Sequence, residues 1–119
     1  LVDQGEDAAR MIPANIRTCG MEQRATFLRR PVKQALPELL RHAPFDLIFL
    51  DPPYGKELVP ATLSQIADLE LPAREGLVVA EADHADTVAD RYGNLELLES
   101  RTYGITRVHL YLRPGKESF

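Results

Sequence analysis

The sequence predicts an α/β protein, a doubly wound and mostly parallel sheet finished by a C-terminal antiparallel hairpin, and three observations predict it. Apolar runs of strand length alternate with segments whose apolar residues recur at helical spacing. The run Phe45 to Leu50, FDLIFL, is almost continuously apolar, the pattern of a central parallel strand covered on both faces. Near the C-terminus two strand-like stretches are separated only by Tyr103-Gly104-Ile105, the mark of a hairpin. With 119 residues, 45% of them hydrophobic and 27% charged, the chain has an ordinary globular composition and the size of one domain, spanning 1–119.

Taken in order, Leu1 to Asp3 reads as the tail of a buried strand. Glu6 to Thr18 sets Ala8, Ala9, Ile12 and Ile16 on one helical face. Pro13 removes a backbone donor and is expected to kink or shorten that helix, and Gly20 to stop it. Ala25 to Leu28 reads as a short strand, and Val32 to Arg41 as a helix despite Pro37, with Val32, Ala35, Leu36, Leu39 and Leu40 on one face. The Phe45 strand ends at Asp51-Pro52-Pro53-Tyr54-Gly55, because two prolines cannot continue a ladder. A helix from about Leu58 to Leu69 comes next, then a buried strand Gly76 to Glu81 and a short helix Asp83 to Arg91. Leu95 to Thr102 and Thr106 to Arg113 form the hairpin. No internal repeat, low-complexity tract or linker interrupts this order.

Several classes are excluded. No apolar run approaches the roughly 18 residues that span a bilayer, so no membrane segment is expected. The single cysteine, Cys19, cannot form an internal disulfide; it reads as a small, semi-buried hydrophobe and fits a reducing, cytoplasmic setting. His42, His84 and His109 have no ligand-like spacing, so no metal site is expected and each reads as a surface or semi-buried residue. A net charge of -4 argues against a generic DNA coat protein, whose affinity comes from excess Lys and Arg. It leaves room for a local patch: Arg24, Arg29, Arg30 and Lys33 form either a solvated face or a contact with RNA phosphate.

Ligands of doubly wound sheets sit at the carboxyl ends of the strands. Asp3 follows the first strand, where a carboxylate either accepts hydrogen bonds from ribose hydroxyls or serves as a turn or N-cap residue. Asp51 follows the Phe45 strand, and its carboxylate, an acceptor only, suits the N–H groups of an exocyclic amine and the proton such an amine releases. Pro52 and Pro53 stiffen the corner and remove donors, leaving a carbonyl to face the amine. Tyr54 offers a flat face on which an unstacked base can lie, a contact of about 1–3 kcal/mol. Asp-Pro-Pro is also an ordinary strand-ending turn; the apolar strand before it, and the glycine and helix after it, favour chemistry. Lys56 is a phosphate candidate beside this corner, and Glu81, ending its strand, either lines the pocket or caps the next segment of chain.

The segment Phe45 to Tyr54, FDLIFLDPPY, resembles the motif of amino-methyltransferases acting on nucleic acids, and the chain as a whole resembles the bacterial 16S ribosomal RNA guanine-N2 methyltransferase family. Ala8-Ala9 through Asn15 is similar to that family's helix after its second strand, and Tyr103-Gly104 with Thr106 to its terminal hairpin, so the resemblance covers nearly the whole chain. It implies a Rossmann-like class I methyltransferase sheet, S-adenosyl-L-methionine as methyl donor, and the N2 amine of a guanine as acceptor, with ribosomal RNA or the small ribosomal subunit as partner. By motif position it implies that Asp3 contacts the cofactor ribose with Asp51 beside the cofactor, and that Asp51, Pro52, Pro53 and Tyr54 form the catalytic loop, Tyr54 and Lys56 meeting the substrate.

Two departures carry expectations of their own. The family's glycine-rich loop after its first strand has no counterpart before Leu1, which predicts an N-terminally truncated domain with two unpaired sheet edges and self-association through them. Where the family places an acidic residue near the adenine amine, this chain reads Arg29-Arg30-Pro31, which predicts altered adenine recognition. Other readings remain at this level. A DNA adenine-N6 methyltransferase would share the chemistry, and a non-catalytic fragment or RNA-binding module would follow from the missing loop. A nicotinamide-dependent dehydrogenase would share the alternation of elements but gives no reason for Asp-Pro-Pro-Tyr.

Overall fold

The computed structural model describes residues 1–52 and 58–115. The chain falls into two compact units, Leu1–Glu38 and Leu39–Phe119, which are taken in turn.

In the first unit, β1 (Val2–Asp3) pairs in parallel with β2 (Leu28–Arg29), Val2 opposite Leu28 and Asp3 opposite Arg29. Between them runs α1 (Glu6–Thr18), over the span expected. Glu6 and Asp7 in its first turn and Arg17 in its last complement the helix dipole. Pro13 sits inside the helix without ending it. The stop is at Gly20, which takes φ 67 while its N–H bonds Arg17 O (3.0 Å) and the Met21 N–H bonds Ile16 O (2.9 Å), a Schellman closure. The apolar stripe Ala8, Ala9, Ile12, Ile16 is half-buried, and Cys19 is exposed rather than semi-buried, because it belongs to the terminus where the chain turns off the helix. The strand expected at Ala25 to Leu28 pairs only at Leu28–Arg29, since β1 offers a ladder of two residues. The next helix is α2 (Val32–Glu38), which contains Pro37, and Leu39–Arg41 follows as a 3-10 turn.

The second unit is a five-stranded sheet in the order β3 (Phe45–Leu50), β4 (Pro72–Asp83), β7 (Thr106–Leu112), β6 (Leu95–Tyr103), β5 (Arg91–Tyr92). The strands β3 and β4 are parallel, joined across α3 (Leu58–Asp68); β4–β7, β7–β6 and β6–β5 are antiparallel. The hairpin turns at Gly104-Ile105, where Gly104 supplies φ 63. Across all described pairings the sheets are therefore mixed, the parallel character residing in β1–β2 and β3–β4.

One face of this sheet carries the core. Val78, Ala80 and Ala82 of β4 lie in register with Tyr111, His109 and Arg107 of β7, and α3 packs there with Val59, Leu63, Ile66 and Ala67 buried. Each large apolar side chain so removed from water contributes about 1.5–3 kcal/mol. On the opposite face β3 differs from expectation. Among the described residues it pairs only with β4, and Leu47 and Phe49 are 50% and 71% exposed. An apolar run reports affinity for cover, not the number of neighbours that supply it.

The stretch Asp83 to Arg91 is not a helix. Asp83 Oδ1 accepts the Ala85 N–H (2.9 Å), Asp86 Oδ2 accepts the Asp83 N–H (3.3 Å), and the His84 N–H goes to Ile105 O (2.7 Å). The β4–β7 ladder still holds Asp83 opposite Thr106, and the His84 N–H bond to Ile105 O prolongs it, so the chain is extended where the helix would begin.

His109 is the buried polar residue of the core, 2% exposed, rather than a surface or semi-buried one. Its inward register opposite Ala80 explains this. Nδ1 lies 2.7 Å from Ser100 Oγ, and Nε2 has no partner among the described residues. Burial, and secondarily Arg107, holds its pKa below the ordinary value of 6.5. The unfolded chain therefore takes up the proton first as pH falls, so stability is full above about pH 6.5 and declines below it. Thermal melts from pH 7.5 to 5 are expected to show this decline in the wild type and a shallower one in His109→Gln.

Candidate functional site

In the first unit, Asp3 stands at the carboxyl end of β1, exposed. Its Oδ1 accepts the Gly5 N–H at 2.7 Å, so the carboxylate is fixed by a local turn at the entrance to α1. The approach is close: a Cβ on Gly5 would sit 3.1 Å from that oxygen. The turn reading of Asp3 is thus present, and it leaves Oδ2 without a partner among the described residues. Arg29, the register partner of Asp3, lines an open recess of about 400 Å³ with Glu6, Ala9 and Arg10. Of the basic cluster, Arg30 is held by Glu38 at 2.8 Å.

In the second unit, Asp51 and Pro52 leave the sheet directly after β3. Asp51 is exposed and Pro52 half-buried, and the Asp51 carboxylate has no hydrogen bond or ion pair among the described residues. Pro53, Tyr54 and Lys56 lie outside the described residues. Glu81 stands one residue beyond Ala80, which is opposite Leu50, the last residue of β3. It is half-buried and, like Asp51, unpartnered among the described residues.

The segment after β4 is held by a device that periodicity does not announce. The Tyr111 hydroxyl donates to Ala89 O (2.7 Å) and the Ala89 N–H donates to the Tyr92 hydroxyl (2.9 Å), so two tyrosines satisfy both backbone groups of one residue. Their rings meet edge to face at 5.7 Å. Burial, then Tyr92 and Asp90, pushes the Tyr111 pKa well up, which keeps its proton available for the Ala89 carbonyl. The visible signal was only the inward position of Tyr111 in the alternation of β7. At the far end of β4, Asp83 Oδ1 also lies 2.9 Å from His84 Nδ1. Among the described residues no group of three or more His, Cys, Asp or Glu gathers to hold a metal, and no helix is long and apolar enough to cross a membrane.

A strand–helix–strand crossover with an acidic corner at the carboxyl end of its first strand, and a closing antiparallel hairpin, make an α/β fold of the Rossmann-like class. The chain belongs to the family described as conserved hypothetical protein 95, whose model matches residues 1–112. It is 30% identical over 115 residues to a Bacillus subtilis (strain 168) protein named "Putative rRNA methyltransferase YlbH", covering 96% of this chain and 62% of that relative's length. A solved structure of a conserved hypothetical protein from Streptococcus pyogenes matches with TM-score 0.82 and 31% identity, over 99% of this chain and 72% of that one. Another, titled "Putative methyltransferase yhhF from Escherichia coli", matches with TM-score 0.74 and 21% identity, over 98% of this chain and 63% of that one, a likeness of fold.

The tyrosine clamp can be tested on its own. Tyr111→Phe removes the hydroxyl that donates to the Ala89 carbonyl and is expected to cost about 0.5–1.5 kcal/mol, seen as a lower urea midpoint at unchanged slope.

Proposed function

We propose that the complete protein transfers a methyl group from S-adenosyl-L-methionine to the exocyclic N2 amine of a guanine in small-subunit ribosomal RNA. The observation that carries this reading is the Asp51 carboxylate, placed by the β3–β4 crossover at the carboxyl end of its strand with its acceptor capacity unused among the described residues. The likeness to the Bacillus relative named for ribosomal RNA supports the class of substrate.

An exocyclic amine is a poor nucleophile because its lone pair is delocalised into the ring. Asp51, accepting from an amine N–H, favours the pyramidal nitrogen that can attack and receives the proton released when the N–C bond forms and the methyl–sulfur bond breaks. Pro52, with no backbone donor, fixes the direction in which the corner leaves β3. Tyr54 and Lys56, as candidates, take the base face and a phosphate. The cofactor supplies a sulfonium-activated methyl group when bound. Asp3 is suited to its ribose, because Oδ2 and the second lone pair of Oδ1 remain after the Gly5 N–H is satisfied.

Two outcomes are expected with the complete protein and labelled methyl donor. Small-subunit RNA, not duplex DNA, takes up the label on guanine N2, and Asp51→Asn lowers the rate about 10²–10⁴-fold with little change in melting temperature. Label in DNA alone, or undiminished transfer by Asp51→Asn, contradicts the reading. Asp3→Ala is expected to weaken donor binding about 10-fold or more by calorimetry, since charge-assisted hydrogen bonds are worth about 1.5–3 kcal/mol. Asp3→Asn, which keeps the acceptor for Gly5, separates this from a collapsed turn.

A further inference from the structure

We infer that Glu81 is a specificity residue of the same site, a carboxylate that reads the donor edge of the target base and so selects guanine over adenine. This rests on the methyl-transfer reading above and adds the base-reading element to it.

The placement comes from register. The strands β3 and β4 run parallel with Leu50 opposite Ala80, so the next residue of each, Asp51 and Glu81, emerges at the same end of the sheet from neighbouring strand positions about 5 Å apart. Side chains alternate along β4: Ala80 and Ala82 turn to the α3 face and are buried, which puts Glu81 on the other face, with Val79 and Phe49. Its register partner on β7 is Val108, which offers it no polar group. Asp83, on the same face two residues on, has its Oδ1 tied to the Ala85 N–H and beside His84, so it is committed to the turn. Glu81 is committed to nothing among the described residues, although it is half-buried. Neither of its oxygens is among the buried unpartnered atoms of the described residues, so both are accessible to the donors of a ligand.

The chemistry of the two bases decides what that ligand is. Guanine presents N1–H and an N2–H side by side, a pair of donors matched to the two oxygens of a carboxylate. With Glu81 on that pair, the second N2–H is left for Asp51. Adenine presents its N6 amine beside N1, an acceptor, and a carboxylate facing N1 sets acceptor against acceptor. Sites built to hydrogen-bond a particular group reject analogues lacking it by large factors, because the protein group is then left unpaired.

The test uses 2-aminopurine, which keeps the N2 amine and replaces the N1 donor with an acceptor. The complete protein is given labelled S-adenosylmethionine and an RNA fragment that it methylates, synthesised with either guanine or 2-aminopurine at the labelled position. Wild type is expected to prefer guanine by about 10²-fold or more in kcat/KM. Glu81→Gln, whose amide can donate to N1, is expected to collapse that ratio about 10²-fold, and Glu81→Ala to lower it as well. A ratio of two substrates is independent of the fraction of enzyme folded, so a destabilised variant still reports. An unchanged ratio in both variants, with wild type active on guanine, overturns this inference alone. Wild-type transfer to adenine N6, or to no base, overturns it together with the proposed function.

Discussion

The β3–β4 ladder comes into register at a place where backbone meets backbone. A Cβ on Gly76 would stand 2.7 Å from the Ala73 carbonyl oxygen and 2.9 Å from that of Phe45, closer than a carbon atom tolerates. Only glycine fits. Between the pairs Phe45–Pro72 and Leu47–Leu77, β4 uses more residues than β3, and the surplus is taken up by a bend in which Glu75 adopts φ 63 and its N–H bonds Arg113 O at 2.7 Å. From Leu77 the ladder then runs unbroken to Ala80. The meeting of Asp51 and Glu81 at the carboxyl end depends on that bend, because a slip of one residue would send every β4 side chain to the other face.

Packing makes the register hard to lose. The same bend that admits β4 presents Val78, Ala80 and Ala82 to α3, where a slip would bury Glu81 and Val79 in their place. Burying an unpaired carboxylate costs more than any one apolar contact returns. Tyr92 and Tyr111 hold Ala89 by both its backbone groups, so the segment that leaves β4 is anchored to β5 and β7. Rigid strands with polar groups gathered at their ends are the arrangement on which positional chemistry can be built.

Much of this was legible from residue order. The α1 span and its stop at Gly20, the strand Phe45–Leu50, the helix from Leu58 and the hairpin turning at Gly104-Ile105 come from periodicity and turn chemistry, which are local. What escaped was tertiary. Asp83 to Arg91 has a helix-like start, but Asp83 is still paired with Thr106 in the β4–β7 ladder and the His84 N–H bonds Ile105 O, 21 residues away. His109 reads as polar and therefore peripheral until its partner across the ladder, Ala80, is known. At the site, Asp51 stood out because prolines come after it, whereas Glu81 looked like any strand-ending acid. Its neighbour is set by register, and register is a property of the pair of strands.

Charge bears on how such a protein would hold a nucleic acid. With a net charge of -4 the chain has no general attraction for phosphate. Several of its arginines are already spent: Arg10 on Asp7, Arg30 on Glu38, Arg91 on Glu96 and Arg101 on Glu99. These exposed pairs add little to stability, yet each lowers the charge available to a polyanion. Affinity built on counterion release would therefore be modest for these residues, and in the proposed reaction discrimination would come from contacts with the base itself. In the proposed site the Asp51 and Glu81 carboxylates, which only accept, would suit that demand. They would be satisfied by a ligand that brings donors to them, so the negative charge that weakens indiscriminate binding would sharpen the choice of target.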